Sequence, residues 1–194
     1  MAKLNGFRKI NTAVFISGNG SNLKNLIKFS LLKSSPFEIK YVLSNKKNAK
    51  GLNYAKMHNI PFKVYNFSKK TKVEKKVLDD LLKKKIRLIC LAGFMKVLSK
   101  NFIDKFKYKI LNIHPSLLPK YKGLNTHKRV IKNKEKFTGC TVHYVNSKLD
   151  SGKIILQKKI RINRKDNYKT IEKKVLKEEH KLYPKAIKKI CFSL

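Results

Sequence analysis

The sequence predicts an α/β protein built on an open, mostly parallel, twisted sheet with helices on both faces. Short runs rich in β-branched and aromatic residues alternate with stretches whose apolar residues recur at helical spacing. The run at 86–91, Ile-Arg-Leu-Ile-Cys-Leu, is nearly all apolar, as a central parallel strand buried on both faces requires. Unusual polar segments also follow several of the strand-like runs, at the edge where open parallel sheets bind ligands.

The first strand is read at 13–16, followed by a glycine loop and a helix on which Leu23, Leu26, Ile27 and Leu31 recur at helical spacing. A strand at 39–43, a helix near 49–58 and a short strand at 62–65 come next. Val77, Leu78, Leu81 and Leu82 mark one face of a helix ending in three lysines, 83–85, where positive charge suits the negative end of the dipole. After 86–91 the pattern predicts a helix near 101–106, a strand at 109–113 and a loop over 115–123 punctuated by Pro115, Pro119 and Gly123. A helix starts near Asn125. Two strands, 138–145 and 153–161, read as antiparallel and edge-like, and a long helix covers 168–190, which Pro184 should kink or split. No repeat, linker or low-complexity tail interrupts the chain, so a single domain over 1–194 is expected.

Composition narrows the function. No run of about 18 apolar residues exists, so no membrane partner is expected. Residues 1–9 are polar and lack the apolar segment of a signal peptide, and the three cysteines (Cys90, Cys140, Cys191) show no metal-ligand spacing. A cytoplasmic location and no metal are the expectations. The net charge of +37 is the most extreme number. Only five of the 48 basic residues are Arg, leaving 43 Lys, and they are spread over nearly every segment with little aromatic interleaving. A nucleic-acid surface usually recruits Arg for bidentate and stacking contacts. Drift toward Lys on solvated faces fits better than a polyanion surface, and no specific nucleic acid is expected as partner. The field would still raise the encounter rate with phosphorylated small molecules.

Ser17-Gly18-Asn19-Gly20-Ser21-Asn22 follows the first strand and looks like an anion nest, with Ser21 and Asn22 opening a helix whose free N–H groups favour phosphate. Leu23 replaces the third glycine of a dinucleotide fingerprint, which favours one phosphate over a pyrophosphate. An ordinary strand-to-helix turn would read the same way. Among five histidines, His58 and His127 read as solvated helix positions, His143 as a strand residue facing either way, and His180 as lining or flanking a site. His114 is different: it is held between a strand end and Pro115, two residues after Asn112, so both side chains leave the pleat on one side. A carboxamide donor beside an imidazole suits acyl transfer, although a capped structural histidine is the plainer alternative. Asp150, at the turn 149–152, serves either an Asx turn or the charging of His114 and removal of an amine proton.

With these residues in place, Ser17–Leu23, Ala92-Gly93-Phe94-Met95, the block 111–121 (Leu-Asn-Ile-His-Pro-Ser-Leu-Leu-Pro-Lys-Tyr) and Leu149-Asp150-x-Gly152 resemble the phosphoribosylglycinamide formyltransferase family of purine biosynthesis, in order and spacing, from about residue 10 to 190. The resemblance implies the formyltransferase variant of the Rossmann-like fold, with 10-formyltetrahydrofolate as co-substrate and phosphoribosylglycinamide as acceptor. It implies that Gly20, Ser21 and Asn22 hold the acceptor phosphate and that Glu179 contacts its glycinamide end. The folate is expected against Met95, Lys96, Val97 and Leu98, Asn112 and the loop from Asn146 to Asp150, with Lys70 near its glutamate tail. Asn112, His114 and Asp150 are the expected catalytic group, Asn112 and protonated His114 stabilising the oxyanion while Asp150 relays the amine proton. Lys70 and Lys96 stand where many relatives carry Arg, and Lys122 replaces a common Pro. A formyltetrahydrofolate hydrolase, using the same three residues with water as acceptor, is the alternative reading, although such enzymes usually carry an added N-terminal regulatory domain. Methionyl-tRNA formyltransferase shares the Pro-Ser-Leu-Leu-Pro block but normally needs a second, RNA-binding domain, and neither further domain is expected here. A basic nucleic-acid-binding module on the same fold is the rival from another class, and a monomer or weak homodimer is expected.

Overall fold

The computed structural model describes residues 9–191. The polar stretch read as lacking a signal segment therefore falls, up to residue 8, outside the described residues. The elements in chain order are β1 (Ile10–Ile16), α1 (Ser21–Ser30), β2 (Phe37–Ser44), α2 (Leu52–Met57), β3 (Phe62–Val64), a 3-10 turn (Phe67–Lys69) running into α3 (Lys70–Lys83), β4 (Leu88–Leu91), α4 (Lys100–Lys105), β5 (Lys109–His114), α5 (Thr126–Lys132), β6 (Phe137–Tyr144), β7 (Ile154–Arg161) and α6 (Tyr168–Cys191). The seven strands form one sheet in the order β3-β2-β1-β4-β5-β6-β7. Its β1–β2, β2–β3, β1–β4 and β4–β5 pairs are parallel, and its β5–β6 and β6–β7 pairs are antiparallel.

Strand alternation explains how two cores grow on one sheet. Val14 and Ile16 of β1 point to a core shared with Leu23, Leu26 and Ile27 of α1 and Tyr183 and Ile187 of α6. Ala13 and Phe15 point the opposite way, onto Val77 and Leu81 of α3 and Phe102 of α4. Strand direction reverses its build-out at β1, whose neighbours β2 and β4 lie on either side. The crevice at the carboxyl ends of β1 and β4 is therefore the ligand position that this topology favours.

Several expectations needed correction. Ile86 and Arg87 lie before β4, because the Ile86 N–H is taken by the Leu81 carbonyl, finishing the turn after α3. The two antiparallel strands are not both edges: β6 sits between β5 and β7 and is almost wholly buried, and only β7 is an edge. Pro184 does not split α6, which runs unbroken over 24 residues. A proline at 184 removes the N–H that would bond the His180 carbonyl four residues earlier. That carbonyl accepts instead from Asn25 Nδ2 on the neighbouring α1. Tyr183 ties the same region to the sheet, its hydroxyl donating to the carbonyls of Leu91 and Leu111 at 3.0 and 3.2 Å.

The Asn25–His180 bond predicts a double-mutant signature. Asn25→Ala should cost about 1 kcal/mol by leaving a half-buried carbonyl without its donor. In a Pro184→Ala background the restored helix N–H can serve that carbonyl, and the cost of Asn25→Ala should shrink. Urea unfolding of the four proteins measures the coupling, and strictly additive costs would contradict the account.

Candidate functional site

The turn after β1 shows why glycine stands at 20. Gly20 caps α1 with φ 71°, and a Cβ there would meet the Gly51 Cα at 2.5 Å. The close approach of two backbones lets Ser21 begin a helix whose first turn faces the cleft. Ser17 joins this turn to the one after β4: its hydroxyl donates to Asn45 Oδ1 and accepts from the Met95 N–H at 2.7 Å.

Asn112 and His114 occupy alternate positions on β5 and so emerge on one side, and β6 adds His143 directly across from Asn112 and Thr141 across from His114. The β6–β7 connection brings Asp150 back over these side chains. Gly152 makes that return possible, since a Cβ there would fall 1.7 Å from the Tyr144 carbonyl oxygen. Asp150 adopts φ 45° and sends its carboxylate inward. The Asx turn of this loop belongs to Asn146, whose Oδ1 accepts from the Lys148 N–H at 3.0 Å.

Partners assign the protons. His114 Nε2 lies 2.8 Å from the Tyr121 carbonyl, which only accepts, so Nε2 carries a hydrogen and Nδ1 faces Asp150 Oδ2 at 3.3 Å. His143 Nδ1 donates to the Tyr144 carbonyl at 2.8 Å, leaving Nε2 to accept from Asn112 Nδ2 at 3.2 Å. The second Asn112 N–H reaches Asp150 Oδ1 at 3.3 Å. Gly123 N–H gives Asp150 Oδ2 its shortest bond, 2.8 Å. The side chains of His114 and Asp150 are only 6% and 8% exposed. Burial is the largest influence on His114 and pulls its pKa below the ordinary imidazole value, against the Tyr121 and Asp150 contributions that raise it. On Asp150 burial works to raise the pKa, but the His143 imidazole, the Gly123 N–H and His114 outweigh it, so the carboxyl stays below its usual range. A carboxylate facing an unprotonated ring nitrogen at 3.3 Å is one proton short of a strong hydrogen bond. The pair is set to accept a proton, and the adjacent amide N–H can serve a developing oxyanion.

These groups open on a cleft of about 630 Å³. Its wall includes Ser21, Asn22, Glu179, Met95, Lys96, Val97, Leu98, Asn112, His114, Asn146 and Asp150, which brings eleven of the expected residues to one cavity. Gly20 shapes the turn behind the wall, and Lys70 is exposed at the start of α3, so neither lines the cleft. His180 is also absent from the wall. Asn22 Nδ2 donates to Glu179 Oε2 at 2.8 Å, and burial pushes the Glu179 carboxyl up to about 7 even though that bond pulls the other way.

Two histidines belong to the site in ways the sequence reading missed. The sequence leaves the side of His143 open; the alternation Thr141-x-His143, opposite Asn112 and His114 of β5, is the signal that places it. His127 was read as solvated, yet it is half-buried on the cleft wall with Nδ1 lacking any partner, because α5 leans on α6 beside Glu172. Asn22 Oδ1 on the same wall is likewise buried without a hydrogen-bond partner among the described residues. No group of three or more His, Cys, Asp or Glu that could hold a metal ion occurs among the described residues.

Comparison with known proteins bears directly on this arrangement. The family model described as formyl transferase matches residues 10–187. The chain belongs to the formyl transferase family. It is 43% identical over 179 residues to phosphoribosylglycinamide formyltransferase of Haemophilus influenzae, covering 91% of this chain and 84% of that one. It is 41% identical to the human trifunctional purine biosynthetic protein adenosine-3 over 95% of this chain, while spanning only 18% of that larger protein. The crystal structure of phosphoribosylglycinamide formyltransferase from Brucella melitensis superposes with a TM-score of 0.90 at 40% identity, covering 95% of this chain and 96% of that one. Glycinamide ribonucleotide transformylase 1 from Symbiobacterium toebii gives a TM-score of 0.93 at 30% identity over the whole chain and 92% of its own. The seven-stranded, mostly parallel open sheet is thus the fold of this family.

The raised Glu179 carboxyl has a measurable consequence. A group whose folded pKa lies above its unfolded value favours the folded state at low pH, and that contribution is lost as pH rises from the ordinary value of 4.5 through about 7. Glu179→Gln should therefore lose less stability than the parent protein between pH 5 and pH 8, as read by urea unfolding. Equal losses would show that Glu179 titrates normally.

Proposed function

We propose that the chain transfers a formyl group from 10-formyltetrahydrofolate to the amine of N1-(5-phosphoribosyl)glycinamide, a step of purine (IMP) synthesis. The observation that carries this reading is the meeting of Asn112, His114 and Asp150 in a cleft whose other wall holds Ser21, Asn22 and Glu179. The names of the relatives, which cover this chain almost completely, support the same chemistry.

The cleft divides by character. Ser21 and Asn22 at the positive end of α1 suit the acceptor phosphate, with Gly20 setting the turn. Glu179 then faces the glycinamide end, where a carboxyl poised near neutrality can accept from an amine. Met95, Val97 and Leu149 leave apolar surface exposed along the cleft and suit the flat pterin, with Lys96, Leu98 and Asn146 beside them and Lys70 reached only by an extended glutamate tail.

The reaction moves one proton. A neutral amine attacks the formyl carbon, and negative charge gathers on the formyl oxygen while positive charge gathers on the amine nitrogen. Asn112 Nδ2 can turn its long 3.3 Å bond from Asp150 toward that oxygen. Because burial lowers His114, we read it as neutral at rest and not as the standing imidazolium expected from the family resemblance. The Asp150–His114 pair takes the amine proton, becomes an ion pair that favours the oxyanion, and returns the proton to the departing folate nitrogen. The C–N bond to folate then breaks as the new amide keeps its C–N bond.

An assay with 10-formyltetrahydrofolate and the acceptor, with an acceptor-free control to expose hydrolysis, tests the proposal. Asn112→Ala, His114→Ala and Asp150→Ala should each lower turnover by about 10²–10³-fold while circular dichroism stays unchanged. Near-normal turnover in folded His114→Ala and Asp150→Ala proteins, or formyl release equal with and without acceptor, would overturn it.

A further inference from the structure

His114 and Asp150 each rely on one backbone group from the same short loop. Tyr121 supplies the carbonyl that holds His114 Nε2, and Gly123 supplies the N–H that gives Asp150 its 2.8 Å bond. The loop follows β5 and precedes α5, and it has no ladder of its own to hold it. One backbone turn bond, from the Lys120 N–H to the Leu117 carbonyl at 3.0 Å, and several side chains hold it. At its start, Thr141 Oγ1 donates to the Ser116 carbonyl at 2.7 Å and Ser116 Oγ donates to the Lys120 carbonyl at 2.7 Å. The Tyr121 hydroxyl donates to Glu135 at 2.9 Å.

The critical stretch, 122–124, is held differently. Arg129, in the last turn of α5, reaches back over it, and one guanidinium nitrogen, Nη1, donates to the carbonyls of Lys122 at 2.7 Å and Leu124 at 3.4 Å. These carbonyls flank Gly123. The guanidinium carbon also lies 5.2 Å from the centre of the Tyr121 ring. Gly123 itself sits at φ 77°, a conformation that resists drift only if its neighbours are held. In a chain with 43 Lys and five Arg, this position keeps a planar donor that can grip carbonyls and stack on a ring together.

We propose that Arg129 is a positioning residue for the proposed formyl transfer, clamping the 121–124 loop so that Tyr121 and Gly123 hold His114 in one tautomer and Asp150 in one orientation. It touches neither substrate nor reacting atoms. Its charge also lies near enough to His114 to favour the neutral ring, in keeping with a pair waiting for a proton. Loss of the clamp lets the Tyr121 carbonyl and the Gly123 N–H wander, and a misplacement of about 1 Å is enough to cost up to about 10²-fold.

The inference rests on the proposed activity for its kinetic readout but has a structural readout that does not. In ligand-free protein, long-range nitrogen–proton NMR of the histidine rings, assigned with His114→Gln, should show a single Nε2–H tautomer for His114. Arg129→Ala and Arg129→Gln should show a mixture of tautomers with folding midpoints close to the parent. In the formyl transfer assay both should lower kcat about tenfold or more with KM for either substrate within about threefold, and Arg129→Lys should recover part of the loss. Lys132→Gln, which removes an exposed charge of the same sign from the same helix, should match the parent in both readouts. A parent protein without formyl transfer would sink the proposed function and leave the tautomer measurement to decide the role of Arg129. An unchanged single tautomer in folded Arg129→Ala or Arg129→Gln, or an unchanged kcat in an active background, would overturn it.

Discussion

A carboxylate removed from water must be answered by donors, and the carboxyl end of this sheet is organised around that requirement. Asp150 approaches from the β6–β7 connection in a left-handed conformation and meets the Gly123 N–H, an Asn112 N–H and the imidazole edges of His114 and His143. These partners come from β5, β6 and the loop that follows β5. The burial of one charge therefore couples β5, β6 and two long loops, and no single one can shift without leaving that charge short of a partner.

The same need for compensation appears at the other end of the cleft with the opposite result. Among the described residues Glu179 is buried against one donor, Asn22, and its carboxyl is pushed up to about 7 instead of down. Two acids in one cavity are thus separated by their surroundings: one is held ionised, the other poised near neutrality. Opposite surroundings push two carboxyls of one cleft in opposite directions. Asn22 Oδ1 and His127 Nδ1 on the same wall have no hydrogen-bond partner among the described residues.

Much of this was legible in advance because the information is local. Asn112 and His114 share a side by strand alternation alone, and the glycine turn announces a helix start. The near-continuous apolar runs mark strands covered on both faces. The misreadings are equally instructive. His127 reads as a solvated helix position in the sequence, yet with α5 packed against α6 it lines the cleft. Pro184 looked like a helix break because the compensating donor, Asn25, lies 155 residues away from His180. The strand at 138–145, read as edge-like, is covered on one side by β5 and on the other by β7, a pairing set by segments distant in the chain.

By itself the sequence determined the order and type of the elements and which strand ends carry the glycine turn, the Asn-x-His pair and the Asp150 loop. These follow from periodicity and from backbone preferences that act within a few residues. Only the tertiary structure decided that His143 stands across from Asn112, that Asn22 reaches Glu179, that the Tyr121 carbonyl and Gly123 N–H meet His114 and Asp150, and that Arg129 reaches the carbonyls on either side of Gly123. Those outcomes depend on strand register and on the paths of loops between distant segments. Their energies come from contacts between groups far apart in the chain, and no local pattern encodes which of many polar residues will be the ones buried together.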